Sequence, residues 1–176
     1  MEQRSALLVD GANMYAAAKA AGFNIDYKLL LQLLGRQFNI VRANYYTAVK
    51  DNPDNLDDPL IKHIDWLSFN GYKVITRMAM EYTNSKGEYV IKGNMDVRMT
   101  IDALCMSDRI DNFILGTGDG DFTDLVDTLH NKGLSVVAIS TIQSKPPMIA
   151  GSLRRAVDQF IDLTEIREAI ERKRSL

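Results

Sequence analysis

A chain of 176 residues with 46% hydrophobic content has the size and apolar material of one domain with a sizeable core. Its 21 Lys+Arg against 23 Asp+Glu leave a formal charge of −2 and a pI near 5.7, which excludes nucleic-acid binding through a global basic field. The single cysteine, Cys105, cannot close an intramolecular disulfide, and no apolar run reaches the roughly 18 residues of a membrane span or resembles a signal peptide. A cytoplasmic protein without a membrane segment is expected.

Short apolar runs alternate with helix-period segments along the chain, the pattern of βα units and a mostly parallel sheet. Ser5 to Val9 reads as a buried first strand. Met14 to Ala21 is an Ala-rich helix stopped by Gly22, and Asp26 is placed to cap a helix carrying Leu29, Leu30, Leu33 and Leu34. Ile40 to Val49 is the second strand. The polar run from Asp51 to Asp58 precedes a helix over Pro59 to Asn70, with Ile61, Ile64, Trp66 and Leu67 available for burial and Gly71 at its end. Tyr72 to Met80 is the third strand, and hairpin-turn chemistry follows around Ser85, Lys86 and Gly87.

A helix from Asn94 to about Ser107 carries the apolar-periodic Val97, Ile101 and Leu104, among which Cys105 is expected as a small buried thiol. Strand Asn112 to Leu115, a Gly/Asp turn, a helix to Asn131 stopped by Gly133, and strand Leu134 to Ile139 come next. That makes five principal strands. The tail from Ser144 holds a short helix near Leu153 to Val157, an edge strand over Phe160 to Leu163, and a charged terminal helix. No linker or repeat divides the chain, so one domain over 1–176 is expected, with a core at about 4–142 and an extension at about 144–176.

In an open parallel sheet, ligands bind beyond the carboxyl ends of the strands, where strand order reverses. The first strand ends in Val9-Asp10-Gly11-Ala12-Asn13, and the fourth in Leu115-Gly116-Thr117-Gly118-Asp119-Gly120-Asp121. Asp96 lies in the first turn of its helix, where the dipole favours a negative charge. Three segments can then converge on one acidic pocket. Clustered carboxylates repel and call for a cation or a proton, and hard oxygens without His or Cys select Mg²⁺, Mn²⁺ or Ca²⁺ over zinc. Each acid also has a plainer role: Asp10 in a turn, Asp96 as a helix-start carboxylate, Asp119 or Asp121 as caps. The glycines at 116, 118 and 120 are not a dinucleotide fingerprint, because two aspartates among them would repel a pyrophosphate. Nor is the turn an EF-hand, since position twelve from Asp119 is His130.

Four segments together resemble the NYN domain branch of the PIN-like nuclease superfamily in its LabA-like form: VDGANMY from Val9, KGNMDVRMTIDAL from Lys92, GTGDGDFTDLV from Gly116 and LRRAVDQFIDL from Leu153. The resemblance implies a Rossmann-like, three-layer PIN-type α/β fold with a five-stranded, mostly parallel central sheet between helices. It also implies one or two divalent ions, Mg²⁺ or Mn²⁺, held by Asp10, Asp96, Asp119 and Asp121, with Asn13 as the polar companion in catalysis. The implied reaction is hydrolysis of phosphodiester bonds in RNA. Thr117 stands where such families carry Ser or Thr, and Lys92 matches the lysine that opens the Lys-Gly segment. Two residues, Asn94 and Met95, separate Gly93 from Asp96, one more than the family pattern. Asp102, six residues beyond Asp96, is rotated from it by roughly 240° and is expected to point elsewhere.

On this reading Lys92, Arg98, Lys50 and Arg77 are candidates for backbone contact with single-stranded RNA. Tyr45, Tyr46, Tyr82 and Tyr89 could stack on bases, although alternation within strands favours packing for most of them. The rival reading is a non-catalytic regulatory module that binds nucleic acid or protein, as a homodimer or with a partner. A phosphatase-like hydrolase is a third class, but Ala12 and Asn13 stand where its Asp-x-Asp pair would need a second acid.

Overall fold

The computed structural model describes residues 3–49, 58–83, 89–92 and 95–173, with the side chains of 80–83 and 89–92 outside that description. The expected turn at Ser85 to Gly87, the side chains of Lys50, Tyr82, Tyr89 and Lys92, and most of the Asp51 to Asp58 run lie outside the described residues.

Strand β1 (Arg4–Asp10) is apolar from Ala6 to Val9 because both of its faces are covered. Leu7 and Val9 enter one core with Met14, Ala17 and Leu30, while Ala6 and Leu8 enter another with Met99, Phe113 and Val126. Two cores on opposite faces of one sheet give the three layers. Around β1 the chain adds helices α1 (Gly11–Ala20) and α2 (Tyr27–Leu34), strand β2 (Asn39–Val49), helix α3 (Pro59–Phe69) and strand β3 (Lys73–Met78). A separate antiparallel pair, β4 (Met80–Thr83) and β5 (Tyr89–Lys92), precedes helix α4 (Asp96–Met106) and strand β6 (Asn112–Gly116). A 3-10 turn at Gly120–Phe122 leads into α5 (Thr123–Asn131), β7 (Ser135–Ser140), α6 (Gly151–Ala156), β8 (Gln159–Asp162) and α7 (Arg167–Ile170).

The main sheet of the described residues has six strands in the order β3-β2-β1-β6-β7-β8, and every pair in it is parallel. This is the Rossmann order once the small hairpin is set aside. The sheet has six strands rather than five because β8, expected at Phe160 to Leu163 as an edge strand, pairs with β7 and extends it. Glycine stops recur at the predicted helix ends: Gly22, Gly71 and Gly133 have φ of 81°, 95° and 77°.

Helix α4 departs from expectation. Met95, Met99 and Ala103 face the sheet, whereas Val97, Ile101 and Leu104 are 63, 50 and 37% exposed, and Cys105 is exposed rather than buried. Two apolar stripes run along this segment, and the sheet takes the one with methionines. Of the α3 residues expected inside, Leu67 is buried, Ile61 and Ile64 are half-buried, and Trp66 is exposed. No helix among the described residues is long and apolar enough to cross a membrane.

Candidate acidic site at the sheet switch point

Strand order reverses between β1 and β6, which pair in parallel from Ser5↔Asn112 to Val9↔Gly116, so Asp10 and the loop after Gly116 emerge at one rim. Asp10 ends its strand in extended backbone and caps α1, its Oδ1 accepting from Asn13 N at 3.1 Å. Asp119 does the same for the 3-10 turn, with Asp121 N donating to its Oδ1 at 3.0 Å. The capping role and a ligand role are compatible, because a carboxylate that accepts one backbone bond retains further lone pairs. Asp96 is the first residue of α4, and the residue before it, Met95, makes no side-chain cap.

Asp96, Asp119 and Asp121 each present an oxygen within 4.8 Å of the others. Asp96 and Asp119 are half-buried, and Asp121 is exposed. Asp10 is not one of this group, though it feels the charges of Asp96 and Asp119. Its carboxyl is held above the ordinary value, first by burial and then by the charges of Asp96 and Asp119, against the opposing bonds from Asn13 and Ala12 N–H. Oxygen donors spaced this closely are compatible with a divalent cation.

The loop that carries Asp119 and Asp121 is fixed from several sides. Asn13 Oδ1 accepts from Gly118 N at 2.9 Å, tying the start of α1 to the end of β6. The fully buried Thr117 accepts from Asp119 N through its hydroxyl at 3.2 Å. Gly118 is a residue the sequence reading undervalued: a Cβ there would collide with the Met148 carbonyl oxygen and come within 2.7 Å of Ser140 Oγ. Its O also accepts from Ala150 N at 2.8 Å. Only the long-range packing of the 148–150 segment reveals this need.

Asp102 is not one of the acid trio and is bonded within a different network. Its Oδ1 accepts from Arg98 Nε at 2.9 Å and its Oδ2 from the Tyr46 hydroxyl at 3.1 Å, while Asn44 Nδ2 donates to that same hydroxyl at 3.0 Å. This chain connects β2 to α4, the helix that presents Asp96. Arg98 is thus engaged by Asp102, so a phosphate contact would fall to its Nη groups. Tyr46 is fully buried in this network and serves packing. Arg77 is exposed on β3.

The chain is thus an α/β domain with a parallel sheet of Rossmann order and carboxylates gathered at its switch point. The chain belongs to the NYN domain family, which it matches over residues 4–165. It is 32% identical over 173 residues to the "Low amplitude and bright protein LabA" of Synechococcus elongatus, across 96% of this chain and 88% of that protein. Its fold is that of a crystallised Vibrio parahaemolyticus protein of unknown function, with a TM-score of 0.76 at 24% identity over 92% of this chain and 93% of that one.

Proposed function

We propose that this chain is a metal-dependent ribonuclease that hydrolyses phosphodiester bonds of single-stranded RNA. The observation that carries the reading is the convergence of Asp96, Asp119 and Asp121 oxygens within 4.8 Å of one another, on a family background of PIN-like nucleases. Asp96, Asp119 and Asp121 would hold Mg²⁺ or Mn²⁺, with Asp10 completing the acidic wall. Such an ion lowers the pKa of bound water and offsets charge on the scissile phosphate.

The remaining roles belong to the chain itself. Asn13 and Thr117 fix the loop geometry that sets the spacing of the aspartates, and the Asn13 amide nitrogen is left to orient a water or phosphate oxygen. Lys92 and Arg98 supply local positive charge for the RNA backbone, which suits a chain with no net basic character. The test is cleavage of an end-labelled single-stranded RNA by the full chain with Mn²⁺, with EDTA, and with Asp96→Asn or Asp119→Asn. Cleavage that needs Mn²⁺ and is lost in both variants is expected. Cleavage unaffected by either substitution would overturn the site, and RNA binding in Ca²⁺ without any cleavage in Mn²⁺ would favour a non-catalytic RNA-binding module.

A further inference from the structure

On the other side of the β1 end from the acid trio lies a cleft of about 690 Å³, bounded by the start of α1, the end of β2, the start of α3 and the C-terminal segment. We propose that this cleft receives one unpaired nucleobase of the bound RNA strand, an assignment that rests on the ribonuclease reading and names where that strand is gripped.

The walls are aromatic. Tyr27 and Tyr45 meet edge to face with centroids 5.0 Å apart, and His63 packs 6.0 Å from each of them. Tyr15, 58% exposed, stands at the mouth on α1. Burial, and then the charge of Arg172, lower the His63 pKa, which favours the uncharged ring at pH 7. Polar residues line the same space: Asn24, Thr47 and Arg172. Flat π-faces with edge donors and acceptors and one cation make up the chemistry that holds a base and its phosphate. The volume is within the roughly 300–1,000 Å³ range of small-ligand sites, enough for a single nucleotide.

The cleft starts at the residue after Asp10, since Gly11 and Ala12 both line it. Gly11, which lines the cleft directly after Asp10, lies so close to Tyr45 that a Cβ would sit 2.6 Å from its ring. A strand whose phosphate lies at the aspartates therefore has a neighbouring base within reach of the tyrosines.

Trp66, the only tryptophan in the chain, stacks on His63 at 6.1 Å with an interplanar angle of 11°, and is a built-in reporter. The experiment titrates the full chain in EDTA with UMP, AMP and ribose 5-phosphate, followed by Trp66 fluorescence and by calorimetry. Saturable binding of UMP or AMP is expected, with ribose 5-phosphate at least tenfold weaker. Ala12→Phe, at an exposed position that fills the mouth, and Tyr15→Ala are each expected to weaken nucleotide binding about tenfold, in line with the loss of one stacking contact, while thermal melting is unchanged. Nucleotides silent by both methods, equal binding of ribose 5-phosphate, or full affinity in Ala12→Phe would overturn the base pocket. Because no divalent ion is present, binding of nucleotides without RNA cleavage in Mn²⁺ would defeat only the ribonuclease reading. Cleavage with no nucleotide binding would defeat only the pocket.

Discussion

The Asn13 carboxamide oxygen and the Gly118 amide are 2.9 Å apart, although 105 residues separate them in the chain. Through this bond the loop after β1 sets the height of the loop after β6, and so the distance between Asp10 and the acids at 119 and 121. Asn13→Ala is expected to lower Mn²⁺ affinity at least tenfold while costing about 1 kcal/mol of stability, the usual net worth of one hydrogen bond. Isothermal titration with Mn²⁺ beside urea melts separates the two effects; an unchanged Mn²⁺ affinity would show that the bond does not govern the loop.

Gly118→Ala is expected to do more. Its Cβ has no room between the Met148 carbonyl, Ser140 Oγ and Ile149 Cα, so the turn must move, at a cost of about 1–3 kcal/mol for overpacking. Gly120→Ala, whose Cβ would come 3.0 Å from Ala150 Cβ, is the milder control. Melting temperatures and Mn²⁺ binding for the pair should rank in that order.

Asp10→Asn is expected to raise the melting temperature in metal-free buffer at pH 7. The Asp10 carboxyl is held above its ordinary value of 3.8 by burial and by the neighbouring charges, so the folded chain binds that proton more tightly than the unfolded one. Stability therefore falls as pH rises from the ordinary value through the folded one, and asparagine removes that slope while still capping α1. For a chain of this size each kcal/mol moves Tm by roughly 2–4 °C. A melting temperature at or below wild type in EDTA at pH 7 would contradict the electrostatic account. With saturating Mn²⁺ the order is expected to reverse, because binding to the folded state alone adds about 2.7 kcal/mol at a hundred times Kd.

Asp162 gives the opposite sign. It is 3% exposed, and burial alone would raise its pKa, but bonds from Ile142 N, Thr164 N, Thr164 Oγ1 and Thr141 Oγ1 outweigh burial and hold it below 3.8. Its contribution is complete above that ordinary value and is lost as pH falls through the lower folded value. Asp162→Ala strands several buried donors at the end of β8 and is expected to cost about 3 kcal/mol or more at pH 7. Urea melts at pH 7 and in strong acid test this, the gap from wild type closing in acid.

Sequence reading located β1, the helix stops and the acids because each depends on local pattern: an apolar run, a glycine with positive φ, a carboxylate at a strand end. It misjudged α4, where Met95, Met99 and Ala103 compete with Val97, Ile101 and Leu104 as apolar stripes, and only the sheet beneath decides which is buried. Cys105 was misread with them. The need for glycine at 118 depends on a carbonyl thirty residues later, and the aromatic cleft draws Tyr15, Tyr27, Tyr45, His63 and Arg172 from five distant points. No window of sequence contains either.

The central place of β1 has a consequence for synthesis. Ser5 pairs with Asn112, so one edge of this buried strand waits for a partner more than a hundred residues downstream. At about 5–20 residues per second the ribosome needs roughly 5–20 s to deliver β6 after β1. Through that interval Leu7, Leu8 and Val9 can be shielded by β2 on one side only. The carboxylates, too, stay apart until the chain is two-thirds made.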